Sequence, residues 1–207
     1  MIKYLLFIFL LFNCSLAAFA QPDVLEQLKQ RYAMPNGFEA VVTLRVDVPG
    51  IKAPDKTIEI KGENGKAPKI KGEGLILLPK KGLMRQFNDL LSLEVHWIDM
   101  GESGEEHLYK LVSLDAKSDW VTADLQINKN EPRIDQVVLT TRDAGIFTLN
   151  HTYLEDKFPS ETEVAFETSK FSVPLKFLGK SDQIERADST KLVTGKIYIH
   201  FDELTIF

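Results

Sequence analysis

The stretch RIDQVVLTTRDAGIFTLNHTYL, residues 133–154, contains two runs in which apolar and polar side chains alternate. Such alternation is typical of a β-strand that buries one face. Between the runs stands Asp143-Ala144-Gly145, whose Asp and Gly favour a tight turn. A connection this short joins antiparallel neighbours, because parallel strands need a long crossover. The stretch therefore predicts an antiparallel hairpin.

The same pattern repeats along the second half of the chain. The β-rich runs occupy residues 107–114, 120–128, 133–142, 146–154 and 162–171. Short turns separate them, and this arrangement predicts an antiparallel meander. Nearer the N-terminus, residues 38–48 also alternate, and the runs 57–63 and 69–78 flank an Asn64-Gly65 turn. Asn-Gly is a strong hairpin signal, so a second hairpin is expected there.

Helical spacing of apolar residues occurs in two segments, 22–33 and 82–93. Each predicts a short amphipathic helix with one apolar stripe. An acidic loop is expected at 101–106, where Gly and Glu dominate.

The chain end is predicted to add two short strands, 194–201 and 204–207. The stretch before them is too short and charged to separate two folding units. A single β-rich domain is therefore expected over 21–207, with residues 179–207 as a C-terminal strand extension.

The first twenty residues have the three parts of a secretory signal. Lys3 precedes an apolar run at 4–12, and Ala18-Phe19-Ala20 supplies a small-residue cleavage site. The run is shorter than the about 20 residues that a membrane-spanning helix needs. Cleavage after Ala20 removes Cys14, the only cysteine of the chain. The alternative, a lipid anchor on Cys14, fits less well because Phe12 and Asn13 precede it instead of small residues.

Composition and motifs exclude several classes of function. The chain has 25 basic and 30 acidic side chains, a formal net charge of −5, with both signs interspersed. This is not the footprint of a nucleic-acid-binding protein. No phosphate-binding loop, nucleophile elbow or zinc-protease motif occurs. His96 and His107 lie near several carboxylates but lack metal-ligand spacing. We therefore expect no enzyme and no metal; a hydrolase that uses Asp124 is the enzymatic alternative.

The apolar residues of the predicted strands leave two interpretations open. They could fill an ordinary core. They could also line a barrel or half-barrel that is partly empty and holds a hydrophobic ligand, with the amphipathic helices covering the opening.

The segment RDAGIFTLNHTYLEDKFPSETEVAFETSKFSVP, residues 142–174, carries a family resemblance. A turn glycine, Gly145, leads into a strand with Phe147 that ends at Tyr153, and Pro159 starts the next strand. With the signal, the first helix and the meander, this organisation resembles the periplasmic outer-membrane lipoprotein carriers of the LolA/LolB type.

The resemblance spans about residues 22–178 and implies a fold and a function. The fold is mainly β (α+β), an incomplete antiparallel β-barrel or strongly curved sheet with a helical lid. The function is that of a carrier or chaperone in the periplasm of a Gram-negative bacterium, without cofactor or reaction. It would bind a lipoprotein acyl chain or other lipid in an apolar cavity for outer-membrane sorting. The alternative is a non-transport envelope binding or sensing domain on the same scaffold.

Partners and site residues follow from this expectation. The partners are lipid or lipoprotein acyl chains and envelope membrane proteins, the protein is a monomer, and nucleic acid is not bound. Arg45 is the candidate for lid control. The candidate cavity and lid residues are Leu25, Leu28, Val42, Leu44, Val46, Phe87, Leu91, Trp97, Trp120, Phe147 and Phe166.

Overall fold

A computed structural model describes residues 23–33, 36–49, 54–63, 69–72, 94–154, 157–168 and 193–207. The predicted signal with Cys14 and the second predicted helix, with Phe87 and Leu91, lie outside these described residues. Among the described residues, no helix has both the length and the apolar character needed to cross a bilayer.

The described elements are one helix and a single antiparallel sheet. The helix α1 spans Asp23–Arg31. The strands are β1 (Gly37–Asp47), β2 (Lys56–Glu63), β3 (Lys69–Lys71), β4 (Val95–Ser103), β5 (Glu106–Ser113), β6 (Trp120–Asn128), β7 (Ile134–Thr141), β8 (Ile146–Thr152), β9 (Glu161–Thr168) and β10 (Val193–Ile206). Their order in the sheet is β3-β2-β1-β10-β9-β8-β7-β6-β5-β4. The predicted β class, first helix, hairpins and meander are confirmed.

Two predictions about elements are wrong. The predicted acidic loop is a strand hairpin, because β4 continues through Ser103 and β5 begins at Glu106. Its tip is polar since it projects beyond the core, so hydrophobicity does not mark it as a strand. The two predicted C-terminal strands are one strand, β10, in which Asp202 is an extra residue opposite β1. That bulge absorbs the break in alternation at the polar residues.

Bulges and glycines give the sheet its curvature. Pairing shifts by one residue in β4, at both ends of β6 with β7, and in β10. On two strand pairs a phenylalanine ring covers a glycine of the neighbouring strand. A Cβ at Gly62 would lie 2.3 Å from the Phe38 ring, and one at Gly195 would lie 2.8 Å from the Phe166 ring. Bulges and glycines of this kind let a sheet bend strongly.

The core lies on one face of the sheet, which we call the inner face. Alternate side chains of each strand point to it, as with Val42 and Leu44 of β1. Helix α1 packs there through Leu25 and Leu28, and Tyr32 follows just after the helix. The other side chains of the strands form the outer face, which is mainly polar.

A row of hydrogen bonds crosses five strands of the outer face. The amide of Gln126 donates to Gln136 (3.0 Å), and Gln136 donates to Asn150 (2.8 Å). Asn150 donates to Glu163 (3.4 Å), whose other oxygen accepts from Lys196 (3.1 Å). Such cross-strand pairs stabilise the sheet in its register.

Candidate ligand-binding face

One end of the inner face is closed by α1, and we call it the closed end. The β6–β7 turn and the β8–β9 loop lie at this end. Ile134 is 0% exposed, Ile127 1% and Tyr32 1%. The ring of Phe158, from the β8–β9 loop, packs edge-on against Tyr32 with centroids 5.8 Å apart. Water is therefore excluded from this end of the described core.

A closed cycle of hydrogen bonds fastens the end of α1 to β7. The amide of Ile134 donates to the Tyr32 hydroxyl (3.0 Å), and the Tyr153 hydroxyl donates to the Ile134 carbonyl (2.8 Å). The two hydroxyls are 2.8 Å apart. Because the single proton of Tyr153 is already directed to Ile134, Tyr32 must donate to Tyr153. We call these three residues the tyrosine cluster; burial raises the pKa of both its hydroxyls.

Charged side chains surround the tyrosine cluster. The guanidinium carbons of Arg31 and Arg133 lie 5.6 Å and 5.0 Å from the Tyr153 ring centroid. Arg31 also bonds Glu131 (2.8 Å) and the Lys157 carbonyl (3.1 Å). The hydrogen bond from Arg31 lowers the pKa of Glu131. Two loops are thus tied to the last turn of the helix.

A buried histidine lies on the inner face beside this cluster. The Nδ1 of His151 is 2.9 Å from the Thr162 hydroxyl, and the His151 ring is edge-on to Tyr153. Burial lowers the pKa of His151 to about 3. The imidazole is therefore neutral at ordinary pH, as suits an apolar interior.

At the opposite end of the strands, the open end, the inner face is only partly covered. Trp97, Leu139 and Phe147 are half-buried there although they face the core. In the turns just beyond, Leu114 is 62% and Ile146 45% exposed. Apolar exposure on the inner face therefore increases from the closed end to the open end across β4–β9.

Aromatic rings and a histidine–carboxylate pair mark the β4–β5 edge of the inner face. Trp97 packs edge-on against Tyr109 (5.6 Å), and His107 stacks on Tyr109 (4.4 Å). His107 Nε2 lies 2.8 Å from Asp99. The hydrogen bond with His107 lowers the pKa of the Asp99 carboxyl. No group of three potential ligands suited to a metal ion occurs among the described residues, so these parts of the chain offer no metal centre.

This architecture is shared with a solved structure. A LolA superfamily protein from Nitrosomonas europaea superimposes with a TM-score of 0.56 over 89% of this chain and 92% of its own, at 9% identity. The chain has the LolA-like fold. An outer membrane lipoprotein-sorting protein domain from Vibrio parahaemolyticus gives 0.44 over 88% and 91%, at 10% identity. No protein-family model matches the sequence, and no curated protein matches it significantly.

The LolA-like sheet brings most of the candidate residues onto one surface. The residues in the core or packed against it are Leu25, Leu28, Val42, Leu44, Val46, Trp97, Trp120, Phe147 and Phe166. Simple alternation would place Trp120 on the outer face with Asp124. The bulge next to Trp120 turns it to the inner face, where it pairs with Thr141.

Two polar candidates lie on the outer face. Arg45 alternates with the core residues Leu44 and Val46, and its guanidinium lies 4.2 Å from the Tyr198 ring centroid. It is therefore on the opposite side of the sheet from α1. Asp124, considered for hydrolysis, forms an ion pair with Lys110 at 2.5 Å.

The sequence reasoning missed the tyrosine cluster. Tyr32 was an apolar position of a helix and Tyr153 the end of a strand, and nothing local connects them. The LolA-like topology joins them to Ile134 across 121 and 102 positions of the chain.

Proposed function

We propose that this chain is a periplasmic carrier that binds the acyl chain of a lipoprotein, or another lipid, on the inner face of its LolA-like sheet. The observation that carries the proposal is the half-exposed apolar surface at the open end, which continues into a fully buried apolar core. Burying a methylene group of a ligand is worth about 0.8 kcal/mol, so such a surface favours acyl chains.

The remaining parts of the proposal concern location and assembly. We propose that residues 1–20 are a cleaved signal that delivers a single domain, 21–207, to the periplasm. A monomer is supported by the sheet edges: β3 carries Lys69 and Lys71, and β4 contains a bulge. Charged residues and bulges at edge strands oppose pairing with another chain. The role is binding and transfer, with no catalysed reaction.

The test is uptake of a fluorescent fatty acid by delipidated protein. We expect saturable binding by the wild type and a bound lipid in its native mass spectrum. The substitution Phe147→Asp should weaken binding about tenfold or more, because it places an unpaired carboxylate on the apolar surface.

The matched control is Thr148→Asp, at the next residue of the same strand. Thr148 is also half-buried but points to the outer face. Its substitution should leave uptake unchanged. Circular dichroism and melting curves must establish that both variants are folded. Failure of the folded wild type to take up lipid would reject the carrier role and favour an envelope binding or sensing domain that uses its outer surface.

A further inference from the structure

The register of β4–β9 divides the inner face into levels along the strands. At the open end, one level is formed by the paired residues Trp97, Leu111, Ala123, Leu139, Phe147 and Phe166. At the closed end, Ile127 pairs with Ile134, and His151 pairs with Thr162. The first of these levels is half-exposed at three of its positions, and Ile127 and Ile134 are buried.

The distance between the two levels matches the length of a lipid chain. Four residue steps separate Phe147 from His151 on β8, and likewise Ala123 from Ile127 on β6. At 3.3 Å per residue this is about 13 Å. One leaflet of a bilayer contributes about 15 Å of hydrocarbon, the depth of one membrane acyl chain.

The closed end provides a floor for such a chain. The tyrosine cluster holds Tyr32 over Ile134, and Phe158 packs against Tyr32. At the other end the two turns that border the opening are joined, because Arg142 donates to the Ser118 carbonyl at 2.9 Å. A chain can therefore extend along the strands only with its polar end towards those turns.

We propose that the inner face measures acyl-chain length: the methyl end stops against Ile127 and Ile134, and the polar head group leaves at the open end beside the β5–β6 and β7–β8 turns. The preferred ligand is a lipid whose chain has the length of one membrane leaflet. This inference rests on the proposed function and deepens it.

The first test changes the floor. In Ile127→Ala, saturated fatty acids from eight to eighteen carbons compete for a bound fluorescent fatty acid. The preferred chain should lengthen by one to two carbons, and each further buried methylene should raise affinity about fourfold. The control Leu139→Ala removes a side chain of similar size at the open end. It should weaken all chains alike without moving the preference.

The second test needs no substitution, so it holds even where Ile127→Ala fails to fold. Both tryptophans of the chain, Trp97 and Trp120, lie in the open half of the inner face. Bromine atoms quench tryptophan fluorescence on contact. Fatty acids brominated near the carboxylate should therefore quench wild-type fluorescence more than those brominated near the methyl end.

The outcomes separate the two proposals. Absence of any saturable binding rejects the carrier role itself. Saturable binding with stronger quenching by the methyl-end bromines overturns the orientation, and an unchanged length preference in a folded Ile127→Ala overturns the floor. In both of those cases the carrier role stands.

Discussion

Replacing Tyr32 by Phe removes one hydroxyl from the closed end and leaves its ring in place. That hydroxyl accepts a hydrogen bond from Ile134 and donates one to Tyr153. A buried amide left without an acceptor costs about 1–3 kcal/mol, and the second bond contributes about 1 kcal/mol. The free energy of unfolding should therefore fall by about 3 kcal/mol. For a chain of this size the melting temperature should fall by about 9 °C.

Urea unfolding at pH 7, followed by circular dichroism, measures this loss. The control is Tyr198→Phe on the outer face, whose ring remains available to Arg45. It should cost less than about 0.5 kcal/mol, as most surface substitutions do. Because Tyr32 and Tyr153 act in one cycle, the double variant with Tyr153→Phe should lose clearly less than the sum of the single losses. Additive losses, or a Tyr32→Phe variant as stable as the control, would refute the cycle.

Two further predictions concern pH and packing. Burial holds the pKa of His151 near 3, below its ordinary value of 6.5. The unfolded chain therefore binds the proton more readily, and this residue contributes stability above pH 6.5 that is lost as pH falls towards 3. By pH 5 the loss is about 2 kcal/mol. Unfolding curves across this range should be flatter by that amount for His151→Asn, and equal slopes would contradict the assignment. The substitution Gly62→Ala should cost about 1–3 kcal/mol in urea unfolding because its methyl group meets the Phe38 ring. Phe38→Leu in the same chain should relieve part of that cost, and no relief would show that another contact is responsible.

Local sequence determined the elements of the meander and the class of the fold. Alternation in residues 133–154, with a short turn at 143–145, leaves an antiparallel hairpin as the compact solution. The helix at Asp23–Arg31 follows from spacing within a few turns. These features depend on neighbours close in sequence, so periodicity and turn residues are enough to reveal them.

Only the tertiary structure decided how the ends of the chain meet the meander. Strand β10 lies between β9 and β1, and its bulge at Asp202 makes one strand of what alternation divides into two. A bulge shifts the facing of later residues by one, and periodicity cannot reveal it without the partner strand. The same physics placed Trp120 on the inner face.

The candidate site divides in the same way. The sequence identified the apolar strand positions, because apolar residues at a period of two must share a face. It did not reveal the closed end, where Tyr32, Ile134 and Tyr153 form a hydrogen-bond cycle. Hydrogen bonds are directional and join groups far apart in the chain. Their geometry therefore exists only once the helix has packed on the completed sheet.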